Sequence, residues 1–266
     1  MRAAAAGGAL AALLLAACAP GPAHPPVFLE SETGYLAPAD LARLAQAVPP
    51  PPAPGSATDR ADKAASARYA ALQGGDRWLL ATAHAELRPP LALQHFDCAL
   101  GVRLGSAQTP KLDRIMARAF HDANGVAETV KARAARPRPV GDDPQRQACQ
   151  RLDAAARKSA SYPSGSAAVG TAYAETFAAL EPDRAEAVRR IGREIGISRL
   201  ICAMHYPSDV SAGEAIGRAV AAEIAATPAF AEDALAARAE LATARASGGT
   251  NPGCAAERAA LATPLP

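Results

Sequence analysis

Residues 131–139 form the first of three segments whose side chains could hold an anion. Pro137 and Pro139 interrupt any helix there and keep the intervening Arg138 extended, while Lys131 can end the preceding helix. The plainer interpretation of this segment alone is a solvated basic loop. Its cationic side chains are Lys131, Arg133, Arg136 and Arg138.

The second segment is Ser161-Tyr-Pro-Ser-Gly165, just before a helix predicted to start near Ser166. A small, glycine-containing turn at a helix N-terminus exposes backbone N–H groups at the positive end of the helix dipole. Ser164 adds a hydroxyl donor. An ordinary helix-starting turn has the same composition, so this segment alone does not establish an anion site.

The third segment, residues 198–209, contains the one histidine that could act as a nucleophile beside a cation. Arg199 and His205 can reach one point if the helix breaks between them, and Pro207 favours such a break. Asp209 then falls near the start of the next helix, where its carboxylate could fix the tautomer of the imidazole. A buried histidine satisfied by a neighbour is the structural alternative.

Together the three segments supply what phosphoryl transfer requires: cations for the equatorial oxygens and an in-line nucleophile. No cluster of acidic residues indicates a metal, so we expect a metal-free site without a cofactor. The candidate catalytic residues are His205 and Asp209, and the candidate phosphate-binding residues are Lys131, Arg138, Ser164, Gly165 and Arg199.

In order, the segments read K-x6-R-P over 131–139, P-S-G over 163–165 and S-R-x5-H-x3-D over 198–209. This pattern resembles the signature of the phosphatidic acid phosphatase type 2 superfamily, and most of all its exported class A bacterial acid phosphatases. The resemblance extends over roughly residues 34–241. It implies a helical domain in which His205 forms a phosphohistidine that water hydrolyses, while Asp209 orients the ring.

One position departs from that family pattern. Where the family has P-S-G-H, with a histidine thought to protonate the leaving oxygen, this chain has Ser166. A serine hydroxyl is too weak an acid for that task, and general acid catalysis contributes about 10²–10⁴-fold. We therefore expect a slow or leaving-group-selective enzyme unless another group donates the proton. The candidates in the predicted domain are His84, His95 and His121.

The first 18 residues have the layout of an export signal: Arg2, a short apolar stretch, then Leu15-Ala-Ala-Cys18. The ending resembles a bacterial lipobox and predicts lipidation of Cys18, a membrane anchor and a periplasmic or cell-envelope location; simple secretion is the alternative. Export makes disulfides plausible among the four remaining cysteines, with the pairing left open. Those cysteines are Cys98, Cys149, Cys202 and Cys254.

Composition favours an all-α fold with one globular helical domain. Alanine dominates the 50% apolar fraction and aromatic residues make up only 4%, which argues against sheets. The balance of 28 basic and 26 acidic residues gives no excess charge for nucleic-acid binding. We predict a signal segment at 1–18, a Pro-rich tether and arm at 19–58, a helical domain at 59–247 and a mostly irregular C-terminal tail at 248–266.

The leading hypothesis is an exported acid phosphatase that acts on phosphomonoesters or phosphoanhydrides and could form a homo-oligomer. Three alternatives stay open. One is a catalytically impaired phosphate-binding lipoprotein. Another is a vanadate-dependent peroxidase, because the superfamily's haloperoxidases share this pocket. The last is a structural lipoprotein with a decayed site.

Overall fold

The computed structural model describes residue 31, residues 33–104 and residues 109–266. These residues form α-helices joined by loops and short 3₁₀ turns, and they contain no strand, so the predicted all-α fold is confirmed. The predicted signal segment, Cys18 and the first part of the tether lie outside the described residues. The helices are α1 (Pro38–Ala47), α2 (Ala57–Arg68), α3 (Asp76–Ala83), α4 (Asp97–Leu100), α5 (Pro110–Lys131), α6 (Pro139–Asp142), α7 (Ala154–Lys158), α8 (Gly165–Leu180), α9 (Ala185–Ile201), α10 (Pro207–Ala225), α11 (Pro228–Ala246) and α12 (Cys254–Ala262).

Helix α8 lies at the centre of the bundle and packs against α5, α9 and α10. Its sequence is apolar on nearly every face, which is the pattern of a helix surrounded by others. Tyr173 and Phe177 of α8 are completely buried, and the Tyr173 hydroxyl donates a hydrogen bond to the backbone oxygen of Leu87 at 2.8 Å. The helices on either side of α8 carry the three segments of the predicted site.

Two glycines let α10 approach α8 closely enough to fix the site. A Cβ at Gly213 would lie 2.2 Å from the backbone oxygen of Ser164, and one at Gly217 would lie 2.4 Å from that of Ala168. Both contacts are far shorter than van der Waals separation, so any side chain would push the helices apart. The N-terminus of α8 therefore sits directly against the first turns of α10.

Helix α5 continues through a pair of residues that is typical of helix ends. Asn124-Gly125 has the form of a helix end, yet the helix continues to Lys131. A glycine inside a helix costs only about 1 kcal/mol relative to alanine. The next turns bury Val126 and Val130 completely in the core, and that burial outweighs the cost. The extension puts Lys131 at the last turn of α5.

The described part of the Pro-rich arm packs against the helical core and contains a helix, α1. Leu41 and Leu44 of α1 pack against the core. The Arg133 side chain donates to the backbone oxygen of Val48 at 3.1 Å, and the Tyr162 hydroxyl donates to that of Pro49 at 2.9 Å. These contacts hold the arm and the polyproline run against the loops around the site.

The C-terminal tail is more ordered than expected, because α12 occupies its centre. The Cys98–Cys254 disulfide attaches α12 to α4, with 5.5 Å between the two Cα atoms. The other bridge, Cys149–Cys202, attaches the loop before α7 to the residue that follows α9. No helix among the described residues combines the length and apolar character needed to cross a bilayer.

Candidate active site

The three predicted segments meet at one cavity of about 250 Å³. The first segment comprises the end of α5 and the extended link to α6. The second lies at the start of α8, and the third forms the turn between α9 and α10. The predicted residues that line the cavity are Lys131, Arg138, Gly165, Ser166, Arg199 and His205. Ser164 and Asp209 lie behind this wall and are fully buried.

His205 lies in the turn between α9 and α10, with only 3% of its surface exposed. Its Nδ1 is 2.7 Å from the backbone oxygen of Ser161, and its Nε2 is 3.2 Å from a guanidinium nitrogen of Arg138. A carbonyl oxygen only accepts, so this geometry selects the tautomer with hydrogen on Nδ1 and leaves the Nε2 lone pair unprotonated.

The surroundings of His205 keep its ring neutral. Burial lowers the pKa of His205 well below its usual value, and the positive charges of Arg138 and Arg199 lower it further. A cationic imidazole has no lone pair with which to attack phosphorus. The lowered pKa favours the neutral form of the ring, which keeps its lone pair.

Asp209 does not contact the imidazole directly. Its Oδ2 is 3.9 Å from Nδ1 of His205, which exceeds hydrogen-bonding distance. That oxygen instead accepts hydrogen bonds from the backbone N–H of Tyr206, at 2.7 Å, and from the Ser161 hydroxyl. Asp209 therefore reaches the ring through Ser161, whose carbonyl holds Nδ1.

Arg136, one of the cations of the first segment, points away from the cavity. Its guanidinium donates to Asp209 Oδ1 at 2.6 Å and to Asp59 and Asp62 of α2 at 3.2 and 2.8 Å. All four side chains are almost completely buried, and the guanidinium also lies over the Tyr206 ring, 4.4 Å from its centroid. Arg136 thus holds the Asp209 carboxylate on the side away from the cavity and neutralises its charge.

Arg199 is a buried cation of the cavity, and two of its guanidinium nitrogens lack hydrogen-bond partners. It is 3% exposed, and these two nitrogens are Nε and one Nη. The other Nη lies 3.4 Å from the side-chain oxygen of Gln150. Burial, with the nearby charge of Arg138, lowers the Arg199 pKa to about 10. Buried donors without partners are costly, so these nitrogens indicate a binding site for an anion.

The other two cations are partly compensated. Arg138 donates to the backbone oxygen of Met204 and to Ser159 Oγ, both at 2.9 Å. The Lys131 ammonium is 2.5 Å from a Glu128 carboxylate oxygen at the edge of the site. Burial lowers the pKa of both Lys131 and Arg138. The cavity therefore concentrates positive charge where little water can screen it.

The start of α8 supplies neutral groups. Ser164 is the N-cap, and its Oγ accepts from the N–H of Ala167 at 3.2 Å, which leaves its hydroxyl hydrogen to donate. Its own N–H is engaged by the backbone oxygen of Asp209 at 2.9 Å. Gly165 follows, and a Cβ there would lie 3.2 Å from the Lys131 ammonium. The glycine thus leaves room beside the lysine for a ligand.

Ser166 faces the cavity, whereas none of the three candidate replacement histidines lines it. His84 is buried with Nδ1 2.8 Å from Ser198 Oγ, and His95 Nε2 is 2.7 Å from the backbone oxygen of Glu86. His121 lies beside Asp122 near the start of the arm. Each is engaged elsewhere, which removes all three as direct proton donors in this conformation.

Several residues that line the cavity lie outside the three sequence motifs and were not predicted. They are Glu86, Arg88, Phe120, Asn124 and Gln150. Helical spacing could have found two of them, because Phe120 and Asn124 lie eleven and seven residues before Lys131 on one face of α5. The others come from loops. Among the described residues, no group of three or more His, Cys, Asp or Glu side chains is arranged to hold a metal ion.

Comparison with known proteins identifies the family of the chain. The PAP2 superfamily model matches residues 116–232, which include all three segments. An acid phosphatase of Zymomonas mobilis subsp. mobilis is 33% identical over 76% of this chain and 76% of its own length. Non-specific acid phosphatases of Salmonella typhimurium and Providencia stuartii are 31% and 27% identical over 73% and 69% of this chain, and over 78% and 74% of their own.

The chain therefore belongs to the PAP2 superfamily of α-helical proteins. These relatives are acid phosphatases, and the similarity supports phosphatase activity for this chain.

Proposed function

We propose that this protein is an exported acid phosphatase that hydrolyses phosphomonoesters or phosphoanhydrides through a phosphohistidine at His205. The single observation that carries the proposal is a buried imidazole beside one guanidinium, with a second guanidinium in the same cavity whose donors lack partners. Nε2 of His205 adjoins Arg138, and Arg199 presents two free nitrogens in the same cavity. A tetrahedral dianion would satisfy these donors and place phosphorus before Nε2.

In the first step, Nε2 attacks phosphorus as the bond to the leaving oxygen breaks. Lys131, Arg138 and Arg199 neutralise the equatorial oxygens, and the Ser164 hydroxyl and Gly165 N–H add donors. The carbonyl of Ser161 holds the imidazolium that forms, and Asp209 holds Ser161 in place. In the second step, water attacks phosphorus, the P–N bond breaks, and orthophosphate leaves.

All these groups belong to the protein, so we propose that the reaction needs no metal and no cofactor. The substrate is a small phosphate ester or anhydride, with no nucleic-acid partner. The sequence of the signal segment supports a periplasmic or cell-envelope location, with a lipid anchor at Cys18.

The serine at position 166 supports a leaving-group-selective enzyme. Without a histidine there, esters that expel a poor alkoxide lose more catalysis than aryl esters or anhydrides, whose leaving groups need less protonation. This selectivity is measured as the ratio of kcat on an aryl ester to kcat on an alkyl ester.

The decisive experiment compares His205→Ala with the full-length wild type on an aryl phosphate. We expect release of phosphate by the wild type, loss of turnover in the variant, and a ³²P-labelled intermediate that is stable to base in the wild type only. His121→Ala is the matched control, because this histidine lies outside the cavity. Equal rates in wild type and His205→Ala would refute the proposal.

Ser166 also favours a second candidate: a phosphate-binding protein that has lost turnover. It predicts tight binding of phosphate or vanadate by the wild type, weakened by Arg199→Met, with no product formed from any ester. Calorimetric titration with both anions, alongside the aryl phosphate assay, separates the two functions.

A further inference from the structure

Helix α2 contacts the rest of the domain through polar side chains. Its buried residues are Asp59, Asp62 and Ser66, and the two aspartates are 4% and 5% exposed. Burying a carboxylate costs free energy that an apolar residue in the same place would not cost, so stability alone does not explain an acidic buried face. The partners of the two carboxylates lie in the segments that form the site.

Asp62 joins two of the three segments of the site. Its Oδ2 accepts from Arg136 Nη2 of the first segment at 2.8 Å and from the Ser208 hydroxyl of the third. Its Oδ1 accepts from the Ser208 backbone N–H at 3.2 Å. The hydroxyl oxygen of Ser208 also accepts from Arg136 Nη1 at 2.8 Å, so the three side chains form a closed triangle. Ser208 lies three residues after His205.

Asp59 contacts the same guanidinium but is bound mainly within its own part of the chain. Its Oδ1 is 3.2 Å from Arg136 Nη2, while its Oδ2 accepts from the Gly55 N–H at 2.9 Å and pairs with the Lys63 ammonium at 3.3 Å. Both oxygens of Asp62, by contrast, accept from residues of the site's segments. Asp62 is therefore the residue through which α2 connects these segments.

Arg136 connects Asp62 with the carbonyl that holds the imidazole. Its Nη1 donates to Asp209 Oδ1 at 2.6 Å, and its backbone oxygen accepts from the Ser161 N–H at 2.7 Å. Asp209 in turn accepts from the Ser161 hydroxyl. Ser161 is thus held at both its N–H and its hydroxyl, and its carbonyl oxygen is 2.7 Å from Nδ1 of His205.

We propose that Asp62 is a positioning residue, which sets the direction of the His205 imidazole through Arg136 and Ser208. This inference rests on the proposed function. In-line attack requires the Nε2 lone pair to point at phosphorus, and the hydrogen bond at Nδ1 fixes the direction of the ring. A shift of the Ser161 carbonyl would turn the ring and misplace Nε2.

The test compares Asp62→Asn with the full-length wild type on an aryl phosphate. Asparagine has the same shape but offers one acceptor oxygen instead of two, so either Arg136 or Ser208 loses an acceptor. We expect kcat to fall about tenfold or more, in the range of a small misplacement of a reacting group. The dissociation constant of inorganic phosphate should change less than about threefold, because Arg199 donates to Gln150 and shares no partner with Asp62.

Asp97→Asn is the matched control. Asp97 is 2% exposed and accepts from the Leu104 N–H at 2.9 Å and from Asn251 at 3.0 Å, so it is as buried as Asp62 and likewise holds a backbone N–H. We expect Asp97→Asn to lower the melting temperature and to leave kcat close to the wild-type value. Equal losses of kcat in the two variants would overturn the positioning role.

The proton on Nδ1 of His205 provides a readout that does not depend on turnover. Its NMR resonance, assigned by its absence in His205→Ala, reports the hydrogen bond to the Ser161 carbonyl. We expect this resonance to shift in Asp62→Asn and to stay in place in Asp97→Asn. An unmoved resonance or an unchanged kcat in Asp62→Asn would overturn the inference and leave the phosphatase intact.

Ser208→Ala is the second variant, which applies if Asp62→Asn does not fold. It removes the hydroxyl that donates to Asp62 and accepts from Arg136, and it leaves the carboxylate in place. The same fall in kcat at nearly constant phosphate affinity is expected, and its absence would overturn the role of Asp62. If the wild type releases no phosphate from the ester, the proposed function fails, and the Nδ1 resonance alone then decides whether Asp62 orients the ring.

Discussion

Nδ1 of His205 is held by the backbone carbonyl of Ser161, at 2.7 Å, rather than by the carboxylate four residues along the chain. The carbonyl belongs to the turn before α8. Asp209 fixes that turn because its side chain accepts from the Ser161 hydroxyl and its backbone oxygen accepts from the Ser164 N–H. The imidazole of His205 is thus oriented by a different segment from the one that carries it.

This arrangement predicts that Asp209→Asn lowers kcat, but less than His205→Ala does. The imidazole keeps its hydrogen bond to Ser161, but the turn loosens, so we expect kcat to fall about 10²-fold, in the range of small misplacements of a reacting group. Steady-state kinetics on an aryl phosphate measure this, with Asp142→Asn as control because Asp142 contacts Tyr206 but not the turn. A loss as complete as that of His205→Ala would show that Asp209 acts directly on the ring.

Arg199→Met should make the unliganded protein more stable and abolish its stabilisation by phosphate. Removing a buried, partly unpartnered cation relieves a desolvation cost, and well-packed apolar replacements of buried charges often stabilise by about 1–4 kcal/mol. The wild type should gain about 2.7 kcal/mol at phosphate concentrations a hundredfold above its dissociation constant.

Thermal unfolding with and without phosphate tests this pair of effects. Arg189→Met, on the surface, is the control and should shift stability by no more than about 0.5 kcal/mol. A phosphate-dependent stabilisation retained in Arg199→Met would place the anion elsewhere.

Ser166→His should raise alkyl phosphate turnover most near pH 7, because a histidine there supplies an acid for the leaving oxygen. An added imidazole titrates in that range, and the expected gain is about tenfold or more on alkyl esters with little change on aryl esters. Parallel pH profiles on the two esters provide the measurement. Equal gains on both would indicate an effect on binding rather than on protonation.

Buried neutral histidines predict a loss of stability in acid. Burial lowers the folded-state pKa of His84 and His205 well below the usual value. As pH falls below about 6.5, the unfolded chain takes up protons that the folded chain refuses, so each histidine removes up to about 1.4 kcal/mol per pH unit from the free energy of unfolding. Above that pH the contribution is complete.

Denaturant unfolding between pH 8 and pH 5 checks the sign and the size. Asp113, whose pKa burial raises to about 6, acts in the opposite direction, so the difference between variants is the informative quantity. His84→Gln should flatten the pH dependence by up to one proton. His121→Gln, a partly exposed position in the middle of α5, is the control variant. A steeper acid loss in His84→Gln would contradict the assignment.

The sequence predicted the helical fold and the residues that converge, because both depend on local patterns. Lys131 ends α5 and Arg138 lies extended between prolines, as their neighbours dictate. The roles of Ser161 and Arg136 escaped prediction, since a backbone carbonyl and a buried guanidinium acquire partners only through tertiary contacts. Glu86 escaped for the same reason: its loop carries no pattern and meets the cavity only after the bundle has assembled.

The unpartnered nitrogens of Arg199 would bind the product as well as the substrate. They would hold inorganic phosphate, the reaction product, as readily as the phosphoryl end of a substrate. An enzyme with such an anion site would slow as its product accumulates, so its rate would fall as the concentration of free phosphate rises.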